Sequence, residues 1–152
     1  MYDFVDRPVA SLDSGGRLLI WAMRHWVRGA GAGRCPCGDV APAFHKRDLM
    51  HAFPHFHVMM AVLNRDALLK LQFGQVGCGR VREDEALILT MIRETYHGPA
   101  DRLRATAALI VAQDSVTTLT IALTALAQGL SDAGLLPRLP VAGAATARSG
   151  DE

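Results

Sequence analysis

Residues 108–126 read ALIVAQDSVTTLTIALTAL, and the placement of this stretch decides the fold. Its apolar content is close to that of a membrane helix over roughly 19 residues. The polar positions point elsewhere. Leu109, Ala112, Val116, Leu119, Leu123, Leu126 and Leu130 step by three and four, as the a/d stripe of a packed helix does. Asp114, Thr117, Thr118, Thr124 and Gln128 fall elsewhere around the same helix. An Asp at mid-bilayer depth costs about 2.5–3.5 kcal/mol, whereas at the surface of a bundle Asp114 costs little. The segment reads as an amphipathic helix and not as a membrane span. Its stripe packs inside the chain's own bundle, or also against a second copy. Ile110, Val111, Ile121 and Ala122 widen the apolar surface, and on the dimer reading Val116, Leu119, Leu123 and Leu126 form the seam.

The last helix then runs from about Pro99 to Asp132 and closes at Gly134. Upstream, Gly98-Pro99 is a stop-and-restart signal. Before it, Glu83-Asp84-Glu85 places acid at the positive end of a helix whose apolar side is Leu87, Ile88, Met91 and Ile92. Residues 72–81, with Gly74, Gly77 and Gly79 around Cys78, read as a loop. The spacing of Phe56, Met59, Leu63, Ala67 and Leu71 predicts a helix over 54–71. Pro42 suits the first turn of a shorter helix reaching Phe53, and Pro54 breaks the chain. The first helix starts near Ser14, buries Leu18, Leu19, Ala22, Trp26 and Val27, and stops at the glycines of 29–33. Arg17, Arg24 and Arg28 lie away from that stripe; Arg24, His25 and Arg28 could contact phosphate, but a solvated helix face is the default reading. No alternating strand pattern or internal repeat is present. The expectation is an all-α single-domain bundle of about five helices over 1–136, the last one longest. A mobile tail rich in Ala, Gly, Ser and charge follows over 137–152.

Composition narrows the function classes. Sixteen Lys+Arg against fifteen Asp+Glu give a formal charge of +1, so no single-signed field favours nucleic acid or an anionic membrane. Half the residues are apolar, too many for a disordered chain. The N-terminus carries Asp3, Asp6 and Asp13 and lacks the basic start and apolar centre of a secretory signal. Three Cys is an odd, low count, which fits a reducing compartment. The expectation is a cytoplasmic protein.

The chemistry-bearing residues are the three Cys and six His. Cys35 and Cys37 form a C-x-C pair, and Cys78 lies between glycines in the second loop. Thiolate and imidazole are the preferred zinc ligands, four to a closed structural site. Cys35, Cys37 and Cys78 could share one zinc with a histidine if two antiparallel helices bring their loops to one end. His55 and His57 would then sit at the other end. The same three thiols could instead form a redox-sensitive set, or be ordinary reduced cysteines. His51 and His55 have a helical metal-pair spacing interrupted by Pro54, and no Glu follows His51 to make H-E-x-x-H. The glycines of 29–33 lack the Lys-Ser/Thr ending of a phosphate loop, and no G-x-S-x-G elbow occurs.

The order of features is similar to that of short uncharacterised bacterial all-helical proteins, over about residues 16–136. It comprises Arg17-Leu18-Leu19, the run Cys78-Gly79-Arg80-Val81-Arg82-Glu83-Asp84-Glu85-Ala86-Leu87, and a Thr/Ala/Leu helix ending in Asp132-Ala133-Gly134-Leu135. The resemblance implies a helical fold and no activity. The functional expectation is a non-enzymatic module that binds a protein partner or itself, with no nucleic acid and no membrane. The alternative is a zinc-binding or redox-responsive protein built on Cys35, Cys37 and Cys78.

Overall fold

The computed structural model describes residues 3–139. Among these residues the chain is all-helical, with six α-helices, two 3-10 turns and no strand. The helices are α1 (Ser14–Gly31), α2 (Pro36–Lys46), α3 (Phe53–Asp66), α4 (Glu83–His97), α5 (Ala100–Ile110) and α6 (Val116–Asp132). α6 packs against α3, α4 and α5, while α1 packs against α2 and α4. The longest helix is α1, not the last.

The long last helix is in fact two. After Ile110 the backbone turns extended at Val111, and a 3-10 turn over Gln113–Ser115 precedes α6. Two ladder-like bonds hold this break against the end of α3, from Leu68 N to the Ile110 carbonyl and from Ala112 N to that of Asp66. Ser115 donates its hydroxyl to the Asp66 carboxylate at 2.7 Å. Side chains such as Asp and Ser compete with helical hydrogen bonding, which is why they favour helix starts. Arg65 and then Ser115, by hydrogen bonding, hold the Asp66 carboxyl below its ordinary range. The stripe survives from Val116 onward: Val116, Leu119, Leu123 and Leu126 are at most 2 % exposed within the single chain. Their partners are the neighbouring helices of the same molecule. Leu109, on the far side of the break, is 81 % exposed.

α2 begins six residues earlier than expected and α3 ends five residues earlier. Pro36 occupies a first-turn position, where a missing N–H is harmless, and Pro42 sits inside α2. Three helices end alike. Gly33, Asp48 and Gly134 adopt positive φ after α1, α2 and α6. In each, the next residue's N–H reaches back to the third-last helical carbonyl: Arg34 to Gly29, Leu49 to Phe44, and Leu135 to Leu130. Leu49 and Phe44 are both fully buried, so the second of these ends also closes the core. Gly129 allows α6 a close approach to the start of α3, since a Cβ there would lie 2.8 Å from that of Ala52.

The N-terminal segment runs along the second loop, with Asp6 N bonded to Val81 O and Val9 N to Gly79 O. Of the expected tail, Pro137 accepts from Arg93 at 2.7 Å and Arg138 N donates to Asp13 at 2.9 Å. Residues 140–152 lie outside the described residues. No helix among the described residues is long and apolar enough to cross a membrane.

Candidate functional site

The start of α2 gathers the chain's reactive groups. Cys35 is the exposed N-cap residue, and Cys37 stands two residues on, partly buried against the core. The Cys35 thiol is pulled below its ordinary value chiefly by the backbone N–H of Cys37. The Cys37 side chain and the N–H of Gly38 add to this. Backbone N–H groups at the start of a helix favour a thiolate in this way. Cys37 is shifted the opposite way, first by burial and then by its hydrogen bond to Cys35. Cys35 is therefore both the more exposed and the more acidic of the two thiols.

Cys37 is also fixed from the core side. Its sulfur lies 3.3 Å from Nδ1 of His57. The same nitrogen accepts the indole N–H of Trp26 at 3.0 Å. Because Trp26 can only donate, Nδ1 of His57 is an acceptor and the ring hydrogen belongs on Nε2. Phe53 stacks on the other side of His57. α2 starts close against Gly29 of α1, where a Cβ would lie 3.3 Å from the Cα of Pro36 and would push the Asp39 carboxylate aside. Asp39 is paired with Arg34 at 3.1 Å.

The three cysteines do not converge. Cys78 donates its thiol to the Arg80 carbonyl at 3.4 Å, in the loop before α4. Its own carbonyl is gripped by Arg24 at 2.6 Å. No group of three or more His, Cys, Asp and Glu among the described residues is placed to hold a metal ion. The zinc site expected from Cys35, Cys37 and Cys78 is therefore not assembled, because Cys78 is tied to a different part of α1. The opposite-end placement of His57 is also corrected. His57, one turn into α3, lies against Cys37 in the first turn of α2 and against Trp26 of α1. His45 and His51 are exposed and His55 is half-buried; none of them joins the Cys37–His57 contact.

A second constellation was not legible in the sequence. Arg24, expected on a solvated face, is 3 % exposed. Its guanidinium clamps Glu85 through two bonds of 2.7 and 2.9 Å and also holds the carbonyls of Cys78 and Arg80. Glu85 in turn accepts from Arg82 N and Gly74 N, capping α4. Gly74 is required here, because a Cβ would fall 2.7 Å from the guanidinium. This clasp is structural: every polar atom in it is satisfied internally.

A comparison with protein-family models, curated proteins and solved structures finds no match. It adds nothing to the resemblance with bacterial helical proteins, so the chain's own geometry carries the functional argument.

Proposed function

We propose that this helical bundle is a non-enzymatic regulatory module of the cytoplasm whose state is set by thiol oxidation at Cys35 and Cys37. The observation that carries this reading is the placement of an exposed Cys35 at the N-cap of α2 with Cys37 two residues on, in the first turn of the same helix. Two residues apart on one chain, their Cα atoms are at most about 7 Å apart. A disulfide needs about 4.4–6.8 Å. A small-molecule disulfide is a sufficient oxidant. The Cys35 thiolate attacks one of its sulfurs and expels a thiolate. Cys37 then loses its proton and attacks the Cys35 sulfur of the mixed disulfide, expelling the second. The oxidant leaves as two thiols, and the chain keeps one S–S bond. Cys37 must leave His57 to do this, so the first turn of α2 loosens from α3.

Equilibration of Cys78→Ser protein with oxidised glutathione tests the reading. Loss of both remaining free thiols without a mass adduct, together with a small drop in helical circular dichroism, is the expected result. Two thiols that stay titratable throughout would reject it.

Contact with a protein partner or a second copy is a further part of the proposal. It is supported by Leu69 and Leu109, exposed at 82 % and 81 % beside the break between α5 and α6. Light scattering of the wild type against Leu109→Lys checks it. Identical monomeric masses at high concentration would remove self-association.

A further inference from the structure

A groove between α1 and the C-terminal half of α2 has a chemistry that neither the dithiol nor the clasp uses. This open groove measures about 610 Å³ and is lined by Ser14, Arg17, Trp21 and Pro42, and by Lys46 and Arg47 at the end of α2. Small-molecule sites typically span about 300–1,000 Å³ and combine apolar walls with a few placed polar groups. Three cations face this groove, and no acidic residue lines it. Two carboxylates adjoin lining residues in sequence without lining the groove: Asp13, which accepts from the N–H groups of Gly16 and Arg138, and the exposed Asp48, which follows Arg47.

Helix electrostatics do not explain all three charges. Lys46 and Arg47 stand at the end of α2, where cations suit the carbonyl-rich terminus. Arg17 stands in the first turn of α1, where a cation opposes the positive end of the helix. It forms no ion pair with another described residue, and neither does Lys46. All three side chains are exposed, so they are free to turn toward an anion in the groove. Trp21 adds an aromatic wall, 39 % exposed and held in place by stacking with His25 at 4.1 Å.

We infer that the α1–α2 groove binds a small aromatic anion. Its ring lies on Trp21, and its phosphate or carboxylate sits among Arg17, Lys46 and Arg47. A guanidinium fork matches such an oxyanion in two parallel bonds. The inference is independent of the dithiol, since none of its residues touches Cys35 or Cys37.

The test uses 1-anilinonaphthalene-8-sulfonate as a fluorescent aromatic anion, with AMP and inorganic phosphate as competitors at low salt. The expected result is saturable binding of one dye per chain that AMP displaces and inorganic phosphate displaces far less well. Arg17→Gln with Lys46→Gln should weaken binding about tenfold, as expected for two lost charge-assisted contacts. Trp21→Leu should weaken dye and AMP alike. Ile121→Asn, on the distant α5–α6 surface, should leave binding unchanged. The replaced groove residues are exposed, so unchanged circular dichroism will confirm that each variant is folded. The inference is overturned if the double variant binds as tightly as wild type, if AMP fails to displace the dye, or if phosphate competes as well as AMP.

Discussion

Arg24 and Glu85 hold opposite charges where water reaches neither. Removing one partner from a buried pair strands the other and costs about 3–5 kcal/mol, whereas replacing both with well-packed apolar groups can be neutral. Arg24→Met or Glu85→Leu alone should therefore lower the denaturation midpoint severely. The double replacement should recover a large part of the loss, which a double-mutant cycle in urea will measure. Strict additivity of the two would refute the clasp. At the dithiol the consequence is kinetic. Cys35 is depressed by hydrogen bonds to its thiolate, and Cys37 is raised by burial. Raising the pH should thus switch on iodoacetamide alkylation of Cys35 below the ordinary thiol value and that of Cys37 only above it. Peptide mass spectrometry resolves the two, and one shared midpoint would contradict the hydrogen bonding described for the pair.

At the scale of elements, α6 is set by its contact surfaces more than by its length. Gly129 lies against Ala52 and His51 on the turn that opens α3. Alanine is better than glycine in a helix by about 1 kcal/mol, yet overpacking typically costs about 1–3 kcal/mol. Here the obstructing atom is a Cβ, which cannot swing away. Gly129→Ala should be net destabilising by about 1 kcal/mol or more, seen as a lower Tm. A rise in Tm would mean that α3 and α6 can slide apart freely. The split between α5 and α6 shows what periodicity can and cannot deliver. A step of three and four continues through Ala112 and Val116 because both are buried or half-buried, on either side of a turn as well as along one helix. The discriminating signal was Asp114-Ser115, a pair that starts helices, which the apolar rhythm masked. The all-helical class was legible because α1, α4 and α6 each carry a strong stripe bounded by glycine or acid. The Cys37–His57 contact and the Arg24 clasp were not, since each joins residues 20 and 61 positions apart through packing that no local pattern encodes.

For the whole molecule, burial divides the apolar residues into two populations. Leu119 has no exposed surface, and the large-to-small change Leu119→Ala should cost about 2–5 kcal/mol. Leu109 is exposed within the single chain, so at concentrations where the protein is monomeric Leu109→Lys should stay within about 0.5 kcal/mol of wild type. Chemical denaturation of the two variants checks both. Equal losses would require Leu109 to be covered in solution by another surface. A lysine at Leu119 would unfold the core, so only an exposed position such as Leu109 can report on self-association.

The clasp constrains how this sequence can change over generations. Arg24, Glu85 and Gly74 meet within one small volume, and a typical domain has only about 5–15 kcal/mol of stability to lose. No single replacement at these three positions is a small step, so drift there must wait for paired changes. Homologous chains should therefore keep all three residues together or exchange them together. An alignment showing the three positions varying independently would mean that the loop before α4 can be held some other way.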